Sequence, residues 1–364
     1  MSGVSSLTIM GYKSIRELRD FPLNNLNVLI GANGAGKSNF IGFFRLLAEI
    51  AEQNLQLYVQ TQGGPDSLLH FGRNGTDSLL GQFFYAEHTY SFLLVPTNDN
   101  RLIVSSETGL NDTALFDDAA PLLGNFFHGT NRNESVLKTS LDPYARQVKN
   151  WISNWRIYHF HDTGERAKVK QPHGVNDTLR LKSDAANLAA YLRMLYNGYP
   201  SHYQRIVDTI RLVAPFFGDF VQRPGTPDYI ELEWTQKGQQ DTPFKAHVLS
   251  DGTLRFICLA TLLLQPVELL PDTILIDEPE LGLHPYAISI LADIFKQVAE
   301  TKQLIVSTQS VELVNELSPE DVIVVEQEND ASVFKRFSSA ELSGWLEEYA
   351  LGELWKSNVL GGRP

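Results

Sequence analysis

Leu249-Ser250-Asp251-Gly252-Thr253-Leu254-Arg255-Phe256 is the stretch on which the reading of this 364-residue chain turns. Alone it is a helix start, with Ser, Asp and Gly ahead of an apolar run and a hydroxyl placed to cap the first turn. Its neighbours give it a second meaning. Shortly downstream an apolar run ends in two carboxylates, Ile274-Leu275-Ile276-Asp277-Glu278. Far upstream stands Gly31-Ala32-Asn33-Gly34-Ala35-Gly36-Lys37-Ser38.

The upstream stretch fits G-x-x-x-x-G-K-[ST] without a mismatch, between a strand at Asn27–Ile30 and a helix from Asn39 onward. Small residues let the backbone of Gly31, Asn33, Gly34 and Gly36 wrap phosphate oxygens closely. The N–H groups of the helix start, through Asn39, favour negative charge. Lys37 is expected to reach the β- and γ-phosphates and the Ser38 hydroxyl to ligate Mg²⁺, so ATP and Mg²⁺ are the expected ligands. Thr273–Ile276 is apolar enough for a central parallel strand buried on both faces. Asp277 at its end is then expected to hold Mg²⁺ through water, and Glu278 to orient or deprotonate an attacking water. Glu280, in Pro279-Glu280-Leu281-Gly282-Leu283-His284-Pro285, is the less suitable base, and that loop is expected to shape a subunit contact. Strand Gln303–Ser307 leads to Thr308-Gln309-Ser310, where Gln309 is placed to sense a γ-phosphate by hydrogen bonding but cannot titrate. Ser250, Gly252 and Thr253 form an anion-binding helix start. A carboxylate at Asp251 would repel a phosphate, so it is expected to point away or to cap the helix.

Composition is that of an ordinary globular protein, 43% hydrophobic and 20% charged. A net charge of -13 and a pI of about 5.2 argue against nucleic-acid binding over the whole surface, though not against a local basic groove. The single Cys258 fits a reducing compartment. The opening Met1-Ser2-Gly3-Val4 lacks the form of a signal peptide, and the run Phe256–Leu264 is too short to span a bilayer. A cytoplasmic protein without membrane contact is expected.

Strands are expected at Leu7–Met10 and Leu26–Ile30, flanking a polar turn around Lys13–Asp20. Phe83–Tyr85, Tyr90–Val95 and Leu102–Val104 read as an antiparallel meander. Asn111–Pro143 is polar and irregular, and Trp155–Phe160 reads as a strand. Helices are expected at Ala185–Tyr196 and Tyr203–Ala214, separated by Pro200, with strands at Tyr229–Trp234 and Phe244–Val248. The last third alternates: helix Thr253–Leu264, strand Thr273–Asp277, helix Tyr286–Glu300, strand Gln303–Ser307, helix Val311–Leu317 and strand Val322–Val325. A strand near Val333–Arg336 and a helix at Ala340–Tyr349 close it. Such alternation implies an α/β fold with a mostly parallel sheet. The expected division is one ATPase head over 1–364. Within it lie an N-terminal lobe (1–110) with phosphate loop and meander, a helical insertion (111–240) and a C-terminal lobe (241–364).

Together these residues resemble the ABC-type ATPase heads of the SMC, RecF and OLD-like group of P-loop NTPases. A family of bacterial stand-alone AAA/ABC-type ATPases is similar over nearly the whole chain. The resemblance is carried by Gly11-Tyr12-Lys13-Ser14, Tyr158-His159-Phe160-His161-Asp162-Thr163, Leu249–Phe256, Asp277–Pro285 and Ser307–Ser310. The closing Leu351-Gly352-Glu353-Leu354-Trp355 and Gly361-Gly362-Arg363-Pro364 are the most specific part. It implies a homodimer sandwiching two ATPs, the phosphate loop of one chain facing Ser250 and Gly252 of the other, so that nucleotide stabilises the dimer. It also implies a role in DNA repair or anti-phage defence through a partner effector protein, with DNA as a further partner. In relatives a loop at the place of His159–Asp162 senses Mg²⁺ and γ-phosphate, a task that His161 or Asp162 would take over here; a simple structural turn fits this segment equally well.

Two departures matter. About 210 residues separate Lys37 from Ser250 and contain no heptads, which excludes long coiled-coil arms. After the ATPase motifs only a short cap is expected, with no attached nuclease. Other readings also fit the motifs: a nearly non-catalytic ATP-sensing scaffold, or the soluble subunit of a membrane transporter. His159, His161 and Asp162 also have the look of a metal site, since i and i+2 share a strand face. Arg166, Lys168, Lys170, Arg180 and Lys182 form the densest basic stretch, readable as a phosphate track or as a solvated loop.

Overall fold

The computed structural model describes residues 3–85, 88–111, 125–225 and 228–363. Along the chain come β1 (Ser6–Tyr12), β2 (Ile15–Pro22), β3 (Leu26–Ile30), α1 (Lys37–Ala51), α2 (Leu55–Thr61) and α3 (Gly72–Gly75). Next in order are β4 (Leu79–Tyr85), β5 (His88–Pro96), β6 (Leu102–Asn111), β7 (Asn125–Arg132), α4 (Pro143–Ser153), β8 (Trp155–Tyr158) and β9 (His173–Gly174). The middle adds α5 (Leu188–Gly198), α6 (Pro200–Val213), β10 (Phe217–Phe220), β11 (Tyr229–Ile230), β12 (Glu233–Gln236) and β13 (Gln239–Lys245). Beyond these lie α7 (Asp251–Leu264), β14 (Thr273–Asp277), α8 (Pro285–Ala299), β15 (Gln303–Ser307) and α9 (Val311–Asn315). The chain closes with β16 (Val322–Glu328), β17 (Ala331–Arg336), α10 (Ser343–Leu346) and α11 (Leu351–Lys356).

Two six-stranded sheets organise these elements. One runs β17-β16-β3-β15-β14-β8, parallel throughout except for the antiparallel edge strand β17. The other, β2-β1-β4-β5-β6-β7, is antiparallel. The central strands of the parallel sheet are apolar on both faces because both are covered. Val28, Ile276, Val306 and Val324 join the core shared with α5 to α9 and α11. The alternate residues Leu29, Leu275, Ile305 and Ile323 join a second core with α1 and the antiparallel sheet. Helix α1 lies between the sheets, and Phe43 stacks on Phe83 at 5.7 Å between ring centroids. The mixed α/β architecture with a mostly parallel sheet and an antiparallel N-terminal sheet is as expected.

Several local expectations need correction. Lys13–Asp20 is not a turn: the chain reverses at Lys13 and Ser14 and runs back as β2. Only Ile15, Leu18 and Phe21 of that strand are inward, a spacing of three that hides it from a period-two search. The cause is a bulge where Leu7↔Phe21 gives way to Ile9↔Leu18, with Asp20 left-handed at φ 44°. Tyr229–Trp234 divides into β11 and β12, which belong to different sheets. The strand before α7 ends at Lys245, and a 3₁₀ turn over Ala246–Val248 leads on. Helix Ala340–Tyr349 is reduced to α10. In the irregular Asn111–Pro143 stretch β7 and the start of α4 form, while 112–124 lie outside the described residues. In the closing segment, Trp355 donates its indole N–H to the Gly362 carbonyl at 2.5 Å. Gly362 in turn donates its N–H to Glu326 at 2.8 Å, fastening this end to β16. Pro364 lies outside the described residues.

Candidate functional site

Strands β3, β15 and β14 are parallel neighbours, so the segments leaving their C-terminal ends emerge at one edge of the sheet. That edge receives the Gly31–Ser38 loop, Thr308-Gln309-Ser310, and Asp277-Glu278. Crevices at the C-terminal edge of parallel strands are where ligands bind in open α/β sheets.

In the loop, Gly36 has φ 119° and a Cβ there would stand 2.1 Å from the Ser332 hydroxyl, so only glycine fits. Gly31 is buried where the loop leaves β3. Asn33, Gly34 and Ser38 are exposed, with open space over Gly34. Lys37 is buried and donates to the carbonyls of Gly31 at 2.5 Å and Ala32 at 3.1 Å. Burial pulls its ammonium below the ordinary lysine range, while the carboxylates of Glu278, Asp277 and Glu280 push it back up. Asn39 gives its side-chain amide to Ser14 at 2.7 Å, spending it on the β1–β2 turn instead of the loop mouth.

Asp277 is half-buried, and its carboxylate accepts from the hydroxyl of Ser307, its register partner on β15. Glu278 has φ 43°, left-handed for a non-glycine residue. Such a conformation costs on the order of 1–3 kcal/mol and persists where the surroundings enforce it. Here Glu278 N–H donates to Ser307 O at 2.9 Å, and its carboxylate accepts from the Gln309 amide. Glu280 accepts the Gln309 backbone N–H at 2.9 Å through Oε1, while Oε2 is shielded from solvent without a partner. Burial holds its carboxyl above the usual range against the lowering by Thr308 and Gln309.

Ser250 caps α7, its hydroxyl accepting the Thr253 N–H at 3.2 Å and lying 2.8 Å from the Thr253 hydroxyl. The Asp251 question resolves simply: its side chain is 67% exposed and pairs at 3.7 Å with Lys170. Gly252 is a close approach, since a Cβ would stand 2.2 Å from the Gly282 carbonyl. The loop after Glu278 therefore seats directly on the start of α7. Among the described residues no hydrogen bond joins Ser250, Gly252 or Thr253 to the Gly31–Ser38 loop.

Two contributors, Ser307 and Arg255, escaped the sequence reading, and His161 is placed otherwise than expected. Ser307 was recoverable by aligning the ends of two parallel strands. His161 donates from Nε2 to the backbone carbonyl of Asp277 at 2.7 Å, whereas Asp162 accepts from Gly164 N–H at 3.3 Å. Arg255, a lone cation in an apolar helix, bonds the carbonyls of Phe160 and His161. Among the described residues no group of three or more His, Cys, Asp or Glu is gathered as a metal site. In the basic stretch, Lys168 pairs with Asp184, Lys170 with Asp251 and Lys182 with Asp177, which neutralises much of it internally. No helix among the described residues is long and apolar enough to cross a membrane.

A family model described as "AAA domain, putative AbiEii toxin, Type IV TA system" matches residues 26–315. That is well over half of the sequence. The chain belongs to this AAA-domain family. Among curated proteins none matches. Solved structures show similarity of fold to this AAA-domain protein. An Smc head bound to the C-winged helix domain of ScpA aligns with TM-score 0.56 and 14% identity, over 94% of this chain and 99% of that one. An Smc head with an extended coiled coil, bound to the C-terminal domain of ScpA from Pyrococcus furiosus, aligns with TM-score 0.58 and 14% identity. Coverage there is 95% and 99%. The fold is that of an SMC-head-like P-loop ATPase.

Proposed function

We propose that the protein is an ATP-hydrolysing switch whose two copies close around two ATP molecules. The observation that carries this reading is the convergence at one sheet edge of the Gly31–Ser38 loop, Asp277-Glu278 and Gln309, with a capped, outward-facing helix start at Ser250. The donor set fits the expected ligands. Backbone N–H groups and Lys37 suit phosphates, and the oxygen donors Ser38 and Asp277 suit Mg²⁺, which when bound would neutralise phosphate charge. Lys37 leaves its loop carbonyls for the β- and γ-phosphates, Glu278 orients or deprotonates the attacking water, and Gln309 holds Glu278 in place. Ser250, Gly252 and Thr253 serve the partner's site, not their own.

The family's description names a toxin of a toxin–antitoxin system, which favours defence over repair. A separate effector protein is proposed as partner. A second reading has its own support: the Gln309 amide occupies Glu278, favouring slow turnover and a mainly sensing role. DNA remains a proposed partner, but the internally paired lysines give it little support. Glu278→Gln should trap an ATP-bound dimer, seen by light scattering with ATP and Mg²⁺. A variant that stays monomeric under those conditions sinks the switch.

A further inference from the structure

Strand β8 ends at Tyr158, after which His159 turns its N–H to the Ser183 carbonyl at 2.9 Å. Its neighbour β14 continues one residue further, to Asp277. At that point the Asp277 carbonyl is met by the imidazole of His161. A carbonyl only accepts, so the ring carries its proton on Nε2. The backbone that presents His161 is held in turn from α7. Arg255 Nε donates to Phe160 O at 2.9 Å and Nη2 to His161 O at 3.1 Å. Arg255 is only 5% exposed, and a buried guanidinium is costly unless fully engaged. Its remaining nitrogen, Nη1, lies against Gly282, where a Cβ would stand 3.1 Å away, and the Gly282 carbonyl abuts Gly252.

We propose that Arg255 and His161 are positioning residues that fix Asp277 and tie it to the helix beginning at Ser250. The tie rests on the ATP-switch reading. Contact at one chain's Ser250 then bears on the metal-holding strand end of that same chain, through one arginine fork and one imidazole. A planar fork reaches two successive carbonyls at once, which a lysine cannot do.

The test titrates Mg²⁺ into ATP-dependent dimerisation, followed by light scattering. His161→Ala and Arg255→Met should each raise the half-saturating Mg²⁺ about tenfold or more, the usual cost of losing an outer partner of a metal ligand. His161→Gln, which keeps an amide donor, should restore near wild-type behaviour. The double variant should be no worse than the poorer single, because both act on one link. If Arg255→Met does not fold, the exposed His161 series decides alone. Dimerisation by wild type and both variants at the same Mg²⁺ overturns the link while leaving the switch intact. A wild type monomeric at every Mg²⁺ overturns the switch and the link with it.

Discussion

At residue 278 the backbone is left-handed, its N–H is held by Ser307 and its carboxylate by Gln309. None of this is visible locally, because it depends on β14 and β15 lying side by side in register. Lys37 and its loop were legible for the opposite reason, since a phosphate loop is contiguous and its neighbours in sequence are its neighbours in space. Glu280 offers a test at this scale. Burial places its folded pKa above the unfolded value of 4.5, so the unfolded chain loses that proton first as pH rises. Its contribution to stability is full below 4.5 and is lost as pH climbs through the folded pKa. Glu280→Gln stays neutral, so its melting temperature should gain on wild type as pH rises from there towards neutral. Calorimetry across that range checks this, and a constant difference contradicts it.

Elements were legible where one physical pattern dominated. β14, β15 and α8 stand where alternation puts them, since each buries an apolar face without interruption. β2 was hidden by its bulge, and the division of Tyr229–Trp234 by tertiary pairing that no local pattern encodes. Helix α7 separates structure from function. Its cap is an ordinary one, so Ser250→Ala should cost about 1 kcal/mol of stability in a denaturant melt. The same variant should lose ATP-dependent dimerisation almost entirely, far beyond what that small loss explains. Dimerisation at wild-type ATP concentrations would reduce Ser250 to a cap.

For the whole molecule, the layered arrangement arises from central strands apolar on both faces, which demand cover on each side. That much could be read from the alternating last third of the chain. The single chain also explains why the Ser250 end of α7 and the Gly31–Ser38 loop share no hydrogen bond: each is proposed to complete the site of another copy. Mixing two inactive variants tests this directly. Lys37→Ala and Ser250→Ala should each hydrolyse ATP negligibly alone. Mixed in equal amounts, they should regain roughly a quarter of wild-type turnover, because half the dimers then hold one intact composite site. No regain on mixing, or full turnover by the Ser250 variant alone, would contradict a site shared between two chains.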